Sequence, residues 1–450
     1  MKVLFVNPHY SFDPYTLLLH PPLAYGSLSN FLKRDGHDVY HADLPFHGNK
    51  AQSVLPFVEE IKPDVIGLTC VAQSFYHAKE IADLIKNHFP EIPIVIGGPL
   101  VTFIPEDVLL RHNCFDYVIL YDGEDSFSEL VMALQRNATM HQMKNISGLA
   151  FRDSKNSIHK SEPAPPIFDL DYYPIPDRSI FNLNDYLKYD YETVIVTSRG
   201  CPSRCTFCST TLTGRNFRFN SPKRVCDEIE EVLNIGFSSV FFGDDTFSGN
   251  SKRTVEICNE IKRRKLDFPW TSNMRAIDAK PDVLEAMASA GAYRVFVGYE
   301  SIQKSTLHLI KKGTTPERLY NKANLIKSYG IELHAAFIIG APGDTHESLE
   351  QTLDFIRLIN PTVATFNVME PRPGTDVYIN PEKYGLSMPD KYWYEKLNWM
   401  ETPVSFTKDL SQSDIRLWIN KCYDEFCSPD FITKENISKL EAIKNNWDAI

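Results

Sequence analysis

The feature that most constrains the fold is a strand–helix alternation that repeats six times between Glu192 and Val368. Each short β-branched or aromatic run is followed by a window with helical periodicity, which favours a parallel sheet with helical crossovers. Six such units predict a partial (β/α)6 barrel of the TIM type, in which the loops after the strands carry the active site. The predicted strands are Glu192–Thr197, Ser239–Phe242, Pro269–Met274, Arg294–Tyr299, Glu332–Ile339 and Thr362–Val368.

A separate α/β alternation occupies the first part of the chain. Its predicted strands are Lys2–Val6, His37–His41, Val65–Thr69, Ile92–Ile96 and Tyr117–Tyr121. This pattern predicts a Rossmann-like parallel sheet, in which ligands bind beyond the carboxyl ends of the strands. No G-x-G-x-x-G follows the first strand, so a nicotinamide or flavin dinucleotide is not indicated. The candidate binding loops are Asn7–Pro22, Thr69–Ser74, Gly97–Thr102 and Asp122–Asp125.

Changes in composition divide the chain into four parts. Five prolines fall between Pro163 and Pro176, which is typical of a boundary between domains, and Ile146–Lys160 precedes them as a candidate hairpin. We therefore predict a Rossmann-like domain at 1–136, a linker with a small hairpin at 137–190 and the partial barrel at 191–380. An aromatic-rich helical segment follows at 381–450.

Charge and composition exclude several classes of protein. The net charge of −11 disfavours a protein that reads a nucleic-acid backbone, which needs a basic face. No apolar run is long enough to span a bilayer, and the first strand begins at Lys2 without the apolar core of a signal peptide. Six of the nine cysteines are scattered, so a disulfide framework is not expected and a reducing cytoplasm is the predicted location.

Three cysteines, Cys201, Cys205 and Cys208, lie in one short loop after the first barrel strand, with the spacing C-x-x-x-C-x-x-C. A structural zinc site uses four protein ligands, usually as two separated pairs, and an iron–sulfur cluster usually takes four thiolates. Three ligands therefore leave one metal position open for a substrate or cofactor. The alternative is an incomplete zinc knuckle or an incidental cluster of thiols.

The loop Thr197–Cys208 resembles the signature of the radical S-adenosylmethionine (SAM) superfamily, and similar segments follow in order as far as Tyr378. The resemblance implies that the three cysteines hold a 4Fe–4S cluster whose open iron chelates SAM. Reductive cleavage of SAM then gives a 5′-deoxyadenosyl radical, which abstracts hydrogen from a small-molecule substrate. It also implies an external electron donor such as a flavodoxin or a ferredoxin.

The same resemblance assigns residues at the strand ends to SAM. Phe207 corresponds to the aromatic residue near the adenine, Phe241–Phe247 to the segment that receives the ammonium group, and Gly298–Ser301 to the group that holds the ribose or carboxylate. Taken singly, aspartates and glycines after strands are also ordinary caps and turns. The assigned residues are Phe207, Asp244, Asp245, Asn273, Arg275, Glu300, Ser301, Gly340 and Pro342.

The N-terminal region before this motif resembles the cobalamin-dependent class of radical SAM enzymes, in which a corrinoid lies between the two domains. The cobalt-ligating motif D-x-H-x-x-G of other cobalamin proteins is absent, as is common in this class. One departure is Leu100, which follows Gly-Gly-Pro where many relatives have histidine. The residues that the resemblance assigns to cobalamin are Tyr25, Gly26, Thr69, Gly97, Gly98, Gly123 and Glu124.

Three functions are consistent with these patterns. The favoured one is cobalamin-dependent methylation of an unactivated carbon. The second is a cobalamin-independent dehydration, cyclisation, epimerisation or rearrangement with a vestigial N-terminal domain. The third is a non-catalytic iron–sulfur scaffold. Tyr299, Glu300 and Cys226 are alternatives for a catalytic acid or hydrogen donor, and the sequence does not distinguish among them.

Overall fold

A computed structural model of the chain describes residues 1–8, 20–188, 192–210, 217–388, 390–396 and 405–426. Most of the predicted binding loop Asn7–Pro22 and the last part of the predicted C-terminal segment lie outside the described residues. Within the described ranges the chain forms two large sheets, each covered by helices.

The first sheet is the predicted Rossmann-like unit, with strand order β2-β1-β3-β4-β5-β6-β7. The first five strands are parallel, and the order reverses between β1 and β3, which is the switch point where ligands bind in such sheets. The candidate hairpin in Ile146–Lys160 forms and extends this sheet by two antiparallel strands. The strands are β1 (Lys2–Asn7), β2 (Asp38–Asp43), β3 (Val65–Thr69), β4 (Ile94–Gly97), β5 (Tyr117–Ile119), β6 (Leu149–Arg152) and β7 (Ile158–Lys160).

The second sheet is the predicted partial barrel. Its six strands are all parallel and follow the order β15-β14-β13-β12-β11-β8, the reverse of their order in the chain. A two-stranded antiparallel ribbon, β9 and β10, lies between the first two barrel strands in the sequence. The strands are β8 (Thr193–Ile195), β9 (Ser198–Arg199), β10 (Arg218–Phe219), β11 (Val240–Phe242), β12 (Trp270–Met274), β13 (Ala292–Glu300), β14 (Glu332–Ile339) and β15 (Val363–Val368).

Helices connect the strands and cover both sheets. In the N-terminal half they are α1 (Leu23–Arg34), α2 (Val54–Ile61), α3 (Phe75–His88), α4 (Pro105–Arg111), α5 (Glu124–Gln135), α6 (Met140–Lys144) and α7 (Leu183–Leu187). From the barrel onward they are α8 (Pro222–Ile235), α9 (Ser251–Arg264), α10 (Pro281–Ser289), α11 (Lys304–Leu309), α12 (Pro316–Ser328), α13 (His346–Ile359), α14 (Asp376–Ile379) and α15 (Gln412–Phe426). Among the described residues, no helix is both long and apolar enough to cross a membrane.

Helix α8 shows how local sequence sets these boundaries. The Ser221 side chain accepts a hydrogen bond from the Arg224 amide, and Pro222 occupies the first helical position, where a missing N–H costs nothing. Val225 and Ile229 lie one turn apart and are buried against the sheet. The helix ends at Gly236, whose φ of 116° is in the left-handed region that favours glycine.

Several close contacts join the two sheets. A side chain on Gly374, after the last barrel strand, would lie 2.6 Å from the Phe103 ring of the first sheet's loops. On the other side of the molecule, Ser29 donates a 2.8 Å hydrogen bond to the carboxylate of Asp177 in the predicted linker. The first of these contacts joins the loops that follow the carboxyl ends of the two sheets.

Candidate functional site

The cysteine loop lies at the carboxyl end of β8, where the barrel pattern predicts an active site. Cys201 and Cys205 are buried, and Cys208 is half-buried. The amide of Thr206 donates a 3.0 Å hydrogen bond to the carbonyl of Ile310, and its carbonyl accepts a 3.3 Å bond from the Val377 amide. The loop is therefore fixed between the turn after α11 and the start of α14.

Two cations flank the thiols. Burial raises the pKa of the Cys205 thiol to about 11; the neighbouring Lys312 opposes this rise, whereas the thiols of Cys208 and Cys201 add to it. Burial also raises the pKa of Cys201, which lies near Arg275. A metal must displace these thiol protons to bind, and the adjacent positive charges favour the thiolate form that it needs.

The ligand set of the cysteine loop fits an iron–sulfur cluster with one open iron. A 4Fe–4S cluster usually takes one thiolate for each of its four irons, so three thiolates leave one iron open to a cofactor. A structural zinc site, the main alternative from sequence, requires four protein ligands around one ion.

Asp244 and Asp245, neighbours after β11, have different surroundings. The Asp244 carboxylate is fully buried and accepts hydrogen bonds from the Thr197 amide at 2.5 Å, the Thr197 hydroxyl at 2.5 Å and the Ser198 amide at 3.0 Å. Burial raises the pKa of Asp244 despite these donors. Its two oxygens thus fix the backbone that leads into the cysteine loop.

Asp245 instead faces a cleft. Its carboxylate accepts from the Gly200 amide at 3.1 Å, directly before Cys201, and from the Thr210 hydroxyl at 3.1 Å. Its side chain is exposed and contributes to a cavity wall. Of the two predicted acceptors for an ammonium group, Asp245 is the one that a ligand can reach.

The predicted residues at the end of β12 face the same region. The Asn273 amide group donates a 2.8 Å hydrogen bond to the Asp244 carbonyl. Arg275 donates to Ser203 of the cysteine loop at 3.1 Å and forms an ion pair with Asp278 at 2.6 Å. Arg275 therefore ties the third barrel strand to the loop between the first two cysteines.

The end of β13 carries a second fixed charge. Glu300 has a φ of 66°, which is strained for a residue with a side chain, and the strand register shifts between Gly298 and Glu300. This bulge directs the Glu300 carboxylate to the Lys312 ammonium at 2.8 Å. Burial lowers the pKa of Lys312, but Glu300 and the nearby thiols raise it more, so the lysine stays charged. The hydroxyl of Ser301, also predicted to bind SAM, accepts from the Gln303 amide at 3.1 Å.

The remaining predicted SAM residues line the other side of the barrel mouth. The loop after β14 turns at Gly340, with a φ of 78°, and is closed by the buried Asp344, which accepts from the Ala341 amide at 2.8 Å. The Pro342 carbonyl accepts a 2.8 Å bond from the Thr306 hydroxyl. Phe207 is half-buried and packs on the apolar core beneath the first sheet's loops.

A cavity of about 360 Å³ opens at the carboxyl edge of the first sheet. Its deep part is apolar and lies between α1, α5 and the sheet, with Phe5, Val95 and Phe127 among its walls. Six of the seven residues predicted to contact cobalamin line it: Tyr25, Thr69, Gly97, Gly98, Gly123 and Glu124. Gly26 faces elsewhere, because an added side chain there would lie 3.0 Å from the Asp177 carbonyl oxygen.

Two of these residues also shape the sheet edge itself. The Tyr25 hydroxyl donates to the Val6 carbonyl at 2.7 Å and accepts from the Thr69 amide at 3.1 Å, bridging two strand ends. Gly98 has a φ of 108°, and a side chain there would lie 2.4 Å from the Cys70 carbonyl oxygen. The tyrosine thus links two strand ends at the cavity mouth, and the glycine leaves no side chain at that edge.

A second cavity of about 490 Å³ adjoins the first. It extends over the linker prolines to Gly200, Gly243 and Asp245 at the barrel mouth. The two cavities share the wall residues Gly98, Pro99, Tyr121, Asp122, Val196 and Arg199. We call these two adjoining cavities the cleft; the first reaches the apolar interior of the first sheet and the second reaches the residue before Cys201.

Arg199, two residues before Cys201, lies at the junction of the cavities. Its guanidinium pairs with Glu124 at 2.5 Å and with Asp122 at 3.0 Å, and it lies over the Tyr173 ring at 4.5 Å. Burial lowers the pKa of Arg199, but Glu124 and Asp122 raise it more, so the charge is retained. Asp122 also pairs with Arg218 at 2.7 Å. We call Asp122, Glu124, Arg199 and Arg218 the interdomain clasp.

Sequence reasoning assigned no role to three residues at this site. Lys312 carried no signal beyond its place in Lys311-Lys312-Gly313. Arg199 stood within the cysteine motif, but its partners are 75 or more residues distant in sequence. Tyr121 is 40% exposed, has a φ of 57° and lines both cavities, and no pattern in the sequence indicates that conformation.

Two family models match the chain, one within each of the two large sheets. A model of the Radical SAM superfamily matches residues 195–356, and a model of the B12 binding domain matches residues 16–131. The first range contains the three cysteines and the ends of the first five barrel strands. The second contains Val95, Phe127 and the six predicted cobalamin residues that line the first cavity.

Curated relatives match nearly the whole chain. An uncharacterized methyltransferase of Pyrococcus horikoshii is 31% identical over 414 residues, covering 90% of this chain and 87% of the relative. An anaerobic magnesium-protoporphyrin IX monomethyl ester cyclase of Rubrivivax gelatinosus is 28% identical over 445 residues, covering 95% of this chain and 79% of the relative.

Solved structures share the fold. The cobalamin-dependent SAM radical enzyme OxsB, with aqua-cobalamin bound, aligns with a TM-score of 0.76 at 20% identity, covering 99% of this chain and 72% of that one. The radical SAM methyltransferase TsrM of Kitasatospora setae, with cobalamin and a [4Fe-4S] cluster bound, aligns with a TM-score of 0.69 at 20% identity. The alignment covers 83% of this chain and 73% of that one.

Proposed function

The chain belongs to the radical SAM superfamily, in the branch with an N-terminal B12-binding domain, and we propose that it methylates an unactivated carbon of a small-molecule substrate. The observation that carries this proposal is the cleft, in which a cavity at the apolar interior of the first sheet adjoins a cavity that reaches the cysteine loop. A methyl donor held in the first sheet's cavity and a radical formed at the barrel mouth would share that space.

The chain's own residues bind and position the cofactors in this proposal. Cys201, Cys205 and Cys208 hold the 4Fe–4S cluster, and Asp245 accepts the ammonium group of SAM beside Gly200. The apolar walls and flat glycine edge of the first cavity receive the corrinoid, and the interdomain clasp closes the cleft to water. When bound, the cluster supplies the electron that cleaves SAM, and the corrinoid supplies the methyl group.

An external protein is proposed to deliver the electron that cleaves SAM, as the resemblance to the radical SAM superfamily implies. A flavodoxin or ferredoxin is the class of donor that the family implies. The thiols must stay reduced to bind iron, which supports the cytoplasm as the compartment.

The test is anaerobic reconstitution with iron, sulfide and hydroxocobalamin, followed by desalting and an absorbance spectrum. We expect cluster absorbance together with corrinoid bands. With SAM and dithionite the loaded enzyme should then form both S-adenosylhomocysteine and 5′-deoxyadenosine. Enzyme reconstituted without hydroxocobalamin is the control, and it should form 5′-deoxyadenosine alone.

Radical cyclisation is the second candidate, because the Rubrivivax relative that covers 95% of this chain is named a cyclase. A cyclase has no need to demethylate SAM. Corrinoid bands with 5′-deoxyadenosine but no S-adenosylhomocysteine would therefore contradict methyl transfer and favour cyclisation. Cluster absorbance without corrinoid bands would instead favour a cobalamin-independent reaction.

A further inference from the structure

Reductive cleavage of SAM consumes one electron from outside the chain for each molecule cleaved: the sulfonium and the electron give methionine and the 5′-deoxyadenosyl radical. The inference below rests on the proposed function, since it concerns the route of that electron. A protein donor has to approach the thiolates from a side that neither the first sheet nor the barrel covers.

The outer surface of the cysteine loop is one such side. Pro202 and Arg204, between the first two cysteines, are both exposed. Lys311 is exposed on the turn whose neighbouring residue, Ile310, accepts the 3.0 Å hydrogen bond from the Thr206 amide. The two cations therefore stand on backbone segments that contact each other beside the thiols.

The same surface continues onto the next barrel units. Arg275 bonds Ser203 at 3.1 Å, and two residues later Ile277 is 54% exposed. The turn that contains Ile277 contacts α12, and Lys322 of that helix bonds the Ala279 carbonyl at 2.5 Å. Arg318 is exposed in the first turn of α12. We call Pro202, Arg204, Ile277, Lys311 and Arg318 the cationic rim.

The rim keeps its positive charge. Among the described residues, Arg204, Lys311 and Arg318 form no ion pair, whereas the carboxylates near them are already paired. Asp278 pairs with Arg275 at 2.6 Å, Glu300 with Lys312 at 2.8 Å and Glu317 with Lys304 at 2.6 Å. Three uncompensated cations stand out on a chain whose net charge is −11.

We propose that the cationic rim is the docking surface of an acidic one-electron carrier protein that reduces the cluster. Charge complementarity of this kind steers a partner to a surface and raises its association rate by 10- to 1,000-fold. Exposed Ile277 and Pro202 supply an apolar centre within a charged border, and small contact areas are typical of transient redox complexes. The rim thus brings the donor against the loop that carries the three cysteine ligands.

The experiment compares two double charge reversals in the full-length, reconstituted enzyme. Lys311→Glu with Arg318→Glu alters the rim without changing the cysteine loop. Lys62→Glu with Lys265→Glu is the matched control, because both lysines are exposed. Their φ angles, 53° for Lys62 and 56° for Lys265, are close to the 54° of Lys311. The rate of 5′-deoxyadenosine formation is measured with an acidic flavodoxin as donor, and separately with dithionite.

We expect the rim variant to lower the flavodoxin-driven rate by about tenfold or more at low salt, and the control variant to leave it unchanged. Both variants should keep the dithionite-driven rate and the cluster absorbance. Raising the salt from about 0.05 M to about 0.5 M should slow the flavodoxin-driven rate of the wild type, and this arm needs no substitution.

Equal flavodoxin-driven rates in the rim and control variants, or no effect of salt on the wild type, would overturn the docking surface. Absence of SAM cleavage by the wild type even with dithionite would instead overturn the proposed function. The dithionite arm therefore separates the two failures.

Discussion

At the scale of single residues, Asp244 and Asp245 are adjacent in sequence, but Asp244 is buried and Asp245 faces the cleft. We expect Asp244→Ala to lower the free energy of unfolding by about 3 kcal/mol, because three buried donors of Thr197 and Ser198 lose their acceptor. Asp245→Ala should leave unfolding nearly unchanged and weaken SAM binding by about tenfold or more. Urea denaturation and equilibrium binding of SAM measure the two effects.

In this pair each variant is the control for the other. The cluster absorbance of Asp245→Ala should equal that of the wild type, since the carboxylate bonds the Gly200 amide and the Thr210 hydroxyl and not a cysteine of the described loop. An unchanged SAM affinity in Asp245→Ala would remove it from the proposed binding residues.

The three cysteines give a second prediction at this scale. Cys201→Ala, Cys205→Ala and Cys208→Ala should each abolish 5′-deoxyadenosine formation, because the cluster then retains two protein ligands. Cys226→Ala is the control: its thiol is buried, but it lies on α8 and outside the cysteine loop. Iron content and product formation are the measurements, and product from any of the three ligand variants would refute the assignment.

At the scale of elements, the bulge that ends β13 depends on Gly298. A side chain there would lie 2.3 Å from the Glu300 carboxylate and 3.1 Å from the Lys312 ammonium. We expect Gly298→Ala to separate this ion pair, to cost about 2 kcal/mol of stability and to lower SAM-cleavage activity. Gly97→Ala is the control, because its added carbon makes only an ordinary contact of 3.7 Å. Equal denaturation midpoints for the two variants would contradict this account.

We expect the buried Asp344, in the loop after β14, to make the stability of the fold depend on pH. Burial raises the pKa of Asp344 to about 7, so the folded state holds a proton that the unfolded state releases near pH 4. The folded state binds more protons in that interval, and stability therefore falls as the pH rises from about 4 to about 7.

Asp344→Asn removes this dependence. Between pH 5 and pH 8 we expect the wild type to lose about 2 kcal/mol more stability than the variant, measured by urea denaturation at both pH values. Parallel losses in the two proteins would show that the carboxyl is ionised in the fold throughout this range.

At the scale of the whole molecule, the interdomain clasp joins the two sheets across the cleft. Glu124→Gln weakens the pairing that holds Arg199 across the junction, and we expect a loss of about 1 kcal/mol of stability, because Arg199 is half-buried and keeps its ion pair with Asp122. Cobalamin retention after desalting should fall with it, since both residues line the first cavity. Lys160→Gln, which breaks an exposed pair with Glu106 on the first sheet, is the control and should change neither property.

The two large sheets were predictable because their signals are local. Periodicity, proline at the first helical turn and glycine at helix ends act within a few residues, and the six barrel strands formed where the pattern put them. The boundaries of the four predicted parts stay a prediction. The first sheet itself continues as far as Lys160, because a hairpin adds to its edge.

The site was predictable only in part. The cysteines and the strand-end residues could be named because their spacing along the chain is itself the signal. The different surroundings of Asp244 and Asp245, the direction of Gly26 and the roles of Lys312, Arg199 and Tyr121 could not. Those properties depend on contacts between residues far apart in sequence, and no local pattern encodes such contacts.

The sequence by itself determined the two α/β units and the family to which the chain belongs, and it supplied the proposed ligand set of the metal centre. Only the tertiary structure decided that the two carboxyl edges share one cleft, which carboxylate a ligand can reach, and where cations remain unpaired beside the thiols. The physical reason is that hydrogen bonding and side-chain periodicity are set by near neighbours. Cavities, ion pairs and exposed charge arise only when distant segments pack together.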